Sequence, residues 1–316
     1  MTQTCKLSPG RKLARTTVGL AALLLPVMAI APAWSQDNGP EFTVTVEVGG
    51  TYDSNITVEQ LDVQTSVGDF MAKFDLGFEF TNSFGEGGNF NLGYDFSQSL
   101  HDDFTNFDIQ SHTLSAGIRN KFGGATIALD YSFIYMKLGG NKFLNMHIIN
   151  PNISGFVAKN VYLRGAYSYF RKDFETATTR DSDTHVLGVD AFFFYNQSKS
   201  YFSIGASYEN ENAVGDPFDL SGFTLKMALQ MPIMSIHEDS RLRFSYAYRD
   251  RNYDNITPSI GVIRSETRST FAVRYRVPVY KQVRLEGEYK YRDRNSNFPS
   301  SNYTENVISF NLSYEF

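Results

Sequence analysis

The sequence predicts an all-β chain that forms a single transmembrane antiparallel β-barrel of about 14 strands, with both termini on the periplasmic side. Three observations support this prediction. Apolar and polar residues alternate within segments that cover most of the chain. The connections between these segments are long and short in turn, and the last segment ends on an aromatic residue. Alternation with a period of two is typical of a strand that has one apolar and one polar face.

The N-terminus has the features of a secretory signal peptide. Residues 1–35 contain four basic residues and no acid, and the apolar run VGLAALLLPVMAIAPA follows the basic residues. Small residues at Ala33 and Ser35 predict cleavage before Gln36. A membrane anchor is the alternative, but the run is shorter than the ~20 residues that a spanning helix needs. We therefore expect Sec-type export, with residues 1–35 as signal peptide and residues 36–316 as the barrel.

Charge and cysteine content exclude several function classes. The chain has a net charge of −5, and removal of the four basic residues of the signal segment makes it more acidic still. This balance argues against general nucleic-acid binding. The single cysteine, Cys5, lies in the signal segment, so the exported chain has no disulfide, thiolate or cysteine-zinc chemistry. The sequence predicts no cofactor and no metal site.

The alternating segments are best explained by a membrane barrel. In the first segment Phe42, Val44, Val46 and Val48 share one face and polar residues share the other. A β-sandwich also alternates, but its apolar faces must meet in one core of limited size, and this chain has too many apolar faces for that. The fourteen predicted strands are 42–53, 69–80, 89–100, 110–120, 125–137, 143–157, 160–171, 184–195, 201–211, 221–232, 241–251, 268–279, 283–294 and 305–316.

The connections between these segments alternate in length. Even-numbered connections such as NKFGGA and VYKQ are short, with MPIMSIHEDS as the exception, whereas most odd-numbered ones are long and polar, for example TYDSNITVEQLDVQTSV and RNYDNITPSIGVIRSET. Bacterial barrels pair short periplasmic turns with longer extracellular loops. The same alternation therefore predicts that both chain ends lie in the periplasm.

Both ends of the barrel sequence resemble a known family. The final strand VISFNLSYEF alternates and closes on Phe316, which is similar to the signal that the barrel assembly machinery of Gram-negative bacteria recognises. The opening YDSNI and the closing YTENVISFNLSYEF resemble a large group of outer-membrane β-barrel porins. This resemblance implies residence in the bacterial outer membrane, with outer-membrane lipid, lipopolysaccharide and the assembly machinery as partners.

The alternation also assigns charged side chains to the barrel interior. Those from the eleventh to thirteenth segments are mostly basic and those from the others mostly acidic, so a basic arc should face an acidic wall across the bore. In one interpretation these charges line an aqueous pore, and in the other they pair with each other and fill the lumen. The predicted pore-lining residues are Arg243, Arg249, Arg251, Arg268, Arg274, Arg276, Arg284, Lys290, Arg292 and Arg294, with the acids Glu47, Asp75, Glu79, Asp95, Asp130, Asp190 and Glu209.

The function that follows is a porin-like channel for passive diffusion of small polar solutes, anions among them. A barrel that serves an export, secretion or polysaccharide system is the alternative. A minor alternative is an outer-membrane hydrolase, based on the acids and imidazoles of His101–Asp103 and Asp181–His185. The omptin-like proteases have ten strands rather than fourteen, so we predict that the chain is not an enzyme.

The terminal resemblance leads to a test in cells. Deletion of Phe316 should impair barrel assembly, because the assembly machinery would lose the terminal aromatic residue of its signal. The amount of heat-modifiable protein in outer-membrane fractions measures the effect. Wild-type amounts of folded barrel in the deletion variant would contradict this role of Phe316.

Overall fold

A computed structural model describes residues 39–196, 198–233 and 236–316. The predicted signal peptide, residues 1–35, and its cleavage before Gln36 lie outside the described residues and stay predictions. No helix in the described part of the chain is long and apolar enough to cross a membrane.

Fourteen long antiparallel strands form one closed barrel, which confirms the predicted fold class. Each strand pairs with its neighbours in sequence, and the ring closes where the first strand, β1 (Glu41–Asp53), pairs with the last strand, β16 (Tyr303–Glu315). Two short strands, β2 (Thr57–Val58) and β3 (Val63–Gln64), form a separate hairpin. The barrel strands are β1 (Glu41–Asp53), β4 (Asp69–Phe84), β5 (Gly88–His101), β6 (Ile109–Phe122), β7 (Ala125–Leu138), β8 (Asn141–Ala158), β9 (Val161–Phe174), β10 (Ser182–Tyr195), β11 (Ser200–Ala213), β12 (Leu220–Pro232), β13 (Arg241–Thr257), β14 (Val262–Tyr280), β15 (Val283–Ser296) and β16 (Tyr303–Glu315).

The two faces of the barrel differ as the alternation predicts. Apolar side chains on the outward face are not covered by other parts of the protein. The exposed fraction is 61% for Phe42, 47% for Leu129 and 63% for Phe310. Inward positions hold polar and charged residues that are buried, such as Ser99 and Arg292. A closed ring with an apolar exterior satisfies every strand's backbone groups and suits a hydrocarbon surrounding.

Each predicted segment corresponds to one barrel strand, but one predicted loop is wrong. The connection RNYDNITPSIGVIRSET is mostly strand, because β13 continues to Thr257 and β14 begins at Val262. Its inward side chains Tyr253 and Arg264 are buried at 7% and 2% exposure. Beyond the apolar band both faces of a strand can be polar, so the alternation that identifies strands elsewhere is absent here.

The turns divide the barrel into two different ends. Short turns at residues 85–87, 123–124 and 281–282 lie at the same end as the start of β1 and the end of β16. At the other end most connections are longer, although β7 and β8 join through Gly139 and Gly140 alone, both with positive φ as a two-residue hairpin turn requires. The assignment of the short-turn end to the periplasm stays a prediction.

Three tyrosine–histidine pairs lie on the outward face towards the long-loop end. In each pair a tyrosine on an odd-numbered strand shares a hydrogen bond with the histidine Nδ1 on the following strand. Side chains with an apolar ring and a polar tip suit the boundary between hydrocarbon and water. The pairs are Tyr94–His112 at 2.9 Å, Tyr131–His147 at 2.9 Å and Tyr167–His185 at 2.6 Å.

The strand register can be tested by placing a charge on each face. Leu129→Asp and Leu225→Asp put a carboxylate on the outward face and should destabilise the barrel by ~1–4 kcal/mol in lipid. Thr224→Asp is the matched control, because Thr224 points inward and pairs with Arg249 in the β12–β13 ladder. Unfolding in lipid vesicles measures the difference, and equal losses on both faces would show that the register is wrong.

Candidate functional site: the charged lumen

The inward face of β13 and β14 places arginine opposite arginine. The ladder pairs Arg241 with Arg276, Arg243 with Arg274 and Arg249 with Arg268. Like charges directly opposite each other destabilise a sheet unless water or acids screen them. The chain therefore needs acidic partners or a wet lumen along this wall.

Acids on the adjacent strand β15 and on β11, two strands away, neutralise much of this wall. Arg274 contacts Glu288 at 2.5 Å and Glu286 at 3.3 Å. Arg251 binds both carboxylate oxygens of Glu209, at 2.7 and 2.9 Å. Such charge-assisted hydrogen bonds fix the guanidinium planes against the wall. Four further pairs are Arg276–Glu286 at 2.7 Å, Lys290–Glu288 at 3.0 Å, Arg284–Glu315 at 2.6 Å and Arg292–Glu305.

The connection between β1 and β4, residues 54–68, folds into the long-loop mouth of the barrel, and we call it the inner loop. It contains the β2–β3 hairpin and a 3₁₀ turn at Glu59–Leu61. The carboxylate of Glu59 bridges the opposed pair Arg249 and Arg268, with one oxygen on each guanidinium. Burial alone would raise the pKa of Glu59, but the charges of Arg268 and Arg249 outweigh it and hold this pKa well below its ordinary value.

A second carboxylate of the inner loop, Asp62, lies at the centre of an arginine cluster. Asp62 accepts hydrogen bonds from Arg180 at 2.8 Å, from Arg264 at 2.7 and 3.0 Å and from Arg294 at 2.8 Å. Glu266 contacts Arg264 and Arg294 at 2.7 Å each. Burial would raise the pKa of Asp62, but the hydrogen bonds and charges of these arginines lower it strongly. Asp62 is therefore ionised throughout the neutral and mildly acidic range.

The far side of the inner loop packs against an apolar patch on the opposite wall. Val58 is 4% exposed and belongs to a cluster whose other members come from β7, β8 and β9. In the ring of strands β7 lies seven places from β14 in either direction. The inner loop thus spans the bore from the arginines to the apolar cluster. The other buried members of this cluster are Ile134, Met136, Phe143, Leu144, Met146 and Phe174.

The lumen also holds a polar cavity of about 210 Å³ along the wall formed by β1, β4 and β14–β16. Its lining carries both signs of charge, so it can solvate or bind a small polar molecule. The charged lining residues include Glu47, Asp53, Lys73, Arg274, Glu288 and Lys290.

The predicted acidic wall is only partly paired. Lys73 contacts Asp75 at 2.5 Å and Glu47 at 3.5 Å, and Asp130 lies 3.8 Å from Arg119. Within the described residues three of the predicted acids and one of the predicted arginines make no ion pair. These are Glu79, Asp95, Asp190 and Arg243.

The prediction that a basic arc faces an acidic wall across the bore is wrong near the mouth. Near the mouth the wall opposite the arginines is apolar, and three carboxylates that the sequence did not assign to the lumen compensate part of the positive charge: Glu59, Asp62 and Glu305. Glu59 and Asp62 lay in a predicted loop with no indication that it turned inward. The residues missed as part of the lumen are Glu59, Asp62, Arg264 and Glu305.

The side chains proposed for a hydrolase have local structural roles. His101 is buried and its Nδ1 lies 3.1 Å from Asp108. Asp181 accepts a hydrogen bond from the backbone N–H of Phe174 at 2.6 Å, and His185 points outward to Tyr167. No group of three or more His, Cys, Asp or Glu side chains placed to hold a metal ion occurs among the residues described. His101–Asp103 lies at the end of β5 and Asp181–His185 at the start of β10, and these two strands do not pair with each other.

Comparison with solved structures identifies the fold. An anion-selective porin from Comamonas acidovorans has a TM-score of 0.54 and 8% identity, over 88% of this chain and 99% of that chain. OmpT, an outer membrane protein of Vibrio cholerae, has a TM-score of 0.51 and 8% identity, over 90% of this chain and 100% of that chain. The chain has the fold of outer-membrane porins. No protein family and no curated protein matches the sequence.

The Asp62 cluster leads to a stability prediction. Asp62→Asn keeps the shape of the side chain but removes the negative charge that Arg180, Arg264 and Arg294 share. The free energy of unfolding should fall by about 3–5 kcal/mol, the usual cost of breaking a buried ion pair. Asp239→Asn is the control, because Asp239 is 67% exposed and 3.6 Å from Arg241, so its loss should cost less than about 1 kcal/mol. Thermal unfolding in detergent compares them. Equal melting temperatures would show that water already screens the cluster.

Proposed function

We propose that the chain is an outer-membrane channel for passive diffusion of small polar solutes, with a preference for anions, and that it is not an enzyme. Its closed 14-strand ring and apolar exterior suit a membrane, and its charged interior suits water. The inner loop narrows the mouth, so the proposed permeants are small.

The observation that carries the proposal is the opposed arginine pairs of β13 and β14. In an occluded interior every one of these guanidinium groups would need a carboxylate, but Arg243, opposite Arg274, makes no ion pair within the described residues. A water-filled lumen solvates such a group and leaves it free to attract anions. The porin from Comamonas acidovorans contributes the fold alone to this proposal. The anion preference rests on the arginines of this chain.

The test is ion selectivity in a planar bilayer under a salt gradient. The variant Arg249→Ser, Arg274→Ser, Arg292→Ser removes three inward cations, and it should lower the anion-to-cation permeability ratio about twofold or more, because wall charges act within a Debye length of ~8 Å. Arg171→Ser is the matched control, because Arg171 is bound to Asp173 and Asp183 on the outward face. It should leave the ratio unchanged.

Two results would contradict the proposal at different levels. A folded wild-type protein with no conductance would contradict the channel itself. Conductance with an unchanged reversal potential in the triple variant would contradict only the anion preference. Thermal unfolding of the same variants shows whether the arginines act mainly as structural partners, since loss of paired buried charges lowers stability.

A further inference from the structure

The arginines bridged by Glu59 have the geometry of an anion-binding site that the chain fills itself. Arg249 and Arg268 face each other across the ladder, and the Glu59 carboxylate lies between them. Two guanidinium groups that share one carboxylate are a common way for proteins to bind carboxylate ligands. Here the carboxylate belongs to a loop, not to the sheet that carries the arginines.

The two acidic anchors of the inner loop differ in how tightly they are enclosed. The side chain of Asp62 is 4% exposed and has three arginine partners. The side chain of Glu59 is 29% exposed and has two. Of the two anchors, Glu59 is therefore the one that a solute can reach, and Asp62 holds the inner loop independently of it.

The arginine pair also has unused donor capacity. The Nε of Arg249 is buried and has no hydrogen-bond partner in the described part of the chain. A buried donor without a partner is costly, so a solute that carries a further oxygen acceptor, in addition to the carboxylate that replaces Glu59, could satisfy it. The side chains of Arg249 and Arg268 keep 15% and 19% exposure, so the pair remains accessible to small molecules.

We propose that Arg249 and Arg268 form a binding site for the carboxylate group of a small organic anion, and that Glu59 is its built-in competitor. The solute carboxylate takes the place of the Glu59 carboxylate between the two guanidinium groups, and Glu59 turns into the lumen. No covalent bond is made or broken in this exchange, because one carboxylate replaces another in the same ion pairs. The inference rests on the proposed function, because the lumen delivers the solute to the site.

The experiment measures succinate binding to the refolded full barrel in detergent at low salt, from the rise in melting temperature with succinate concentration. Glu59→Gln removes the competing charge, and the apparent Kd for succinate should fall about tenfold or more, because the site is no longer occupied by the chain itself. Glu59→Gln with Arg249→Ser and Arg268→Ser should lose the binding. Glu59→Asp keeps the charge with a shorter reach and should bind with intermediate affinity.

The controls separate this site from general charge effects. Glu315→Gln removes an acid that binds one exposed arginine, Arg284, so it should leave the Kd at the wild-type value. Succinamide has the same shape without charge and should stabilise none of the variants. Equal succinate affinity in wild type, Glu59→Gln and Glu59→Asp would overturn the proposal, as would stabilisation by succinamide. Binding in detergent does not require conduction, so failure here is distinguishable from failure of the channel proposal.

Discussion

The closure of β1 onto β16 is the constraint on which the rest of the structure depends. Their ladder joins Thr45 to Glu315 and Asp53 to Val307, and the terminal Phe316 N–H donates to the carbonyl of Val44 at 2.9 Å. An open edge in hydrocarbon would leave a row of backbone groups without partners, each at a cost of several kcal/mol. Closure removes that edge and at the same time fixes which face of every strand is inside. The lumen charges follow from this register, because one residue of slip would move all of them into the lipid.

Once the ring is closed, the interior has to accommodate many arginines in a limited volume. The chain does this in two ways. In the middle of the barrel the sheet itself supplies acids, such as Glu286 and Glu288 beside Arg274. Near the mouth the inner loop supplies them, with Glu59 on one pair of arginines and Asp62 on another set. The loop is therefore both a neutralising element and an obstruction, and the same contacts that stabilise the mouth restrict what can pass through it.

Much of the fold could be predicted from the sequence, because alternation is a local property. Phe42, Val44 and Val46 reveal a strand and its outward face without any knowledge of the neighbours. The contents of the lumen depend on contacts between distant residues, and these leave no local trace. Asp62 binds Arg294, 232 positions away, and nothing in the segment around either residue indicates the other. The sequence failed to place Arg264 in the lumen for a different reason. Arg264 lies where β14 leaves the apolar band, and there both faces of the strand are polar.

Asp62 also determines how the mouth is held together. It joins the inner loop to Arg180 between β9 and β10, to Arg264 on β14 and to Arg294 on β15, so one carboxylate connects four separate parts of the chain. The described residues contain no cysteine and therefore no disulfide. The ion pairs of Asp62 join these parts of the chain without a covalent bond. Because its folded pKa is lowered, Asp62 stabilises the mouth at any pH above the ordinary carboxyl range, and that stability is lost only as the pH falls through the lowered value. Mild acidification should leave such a link intact, and reducing agents cannot open it.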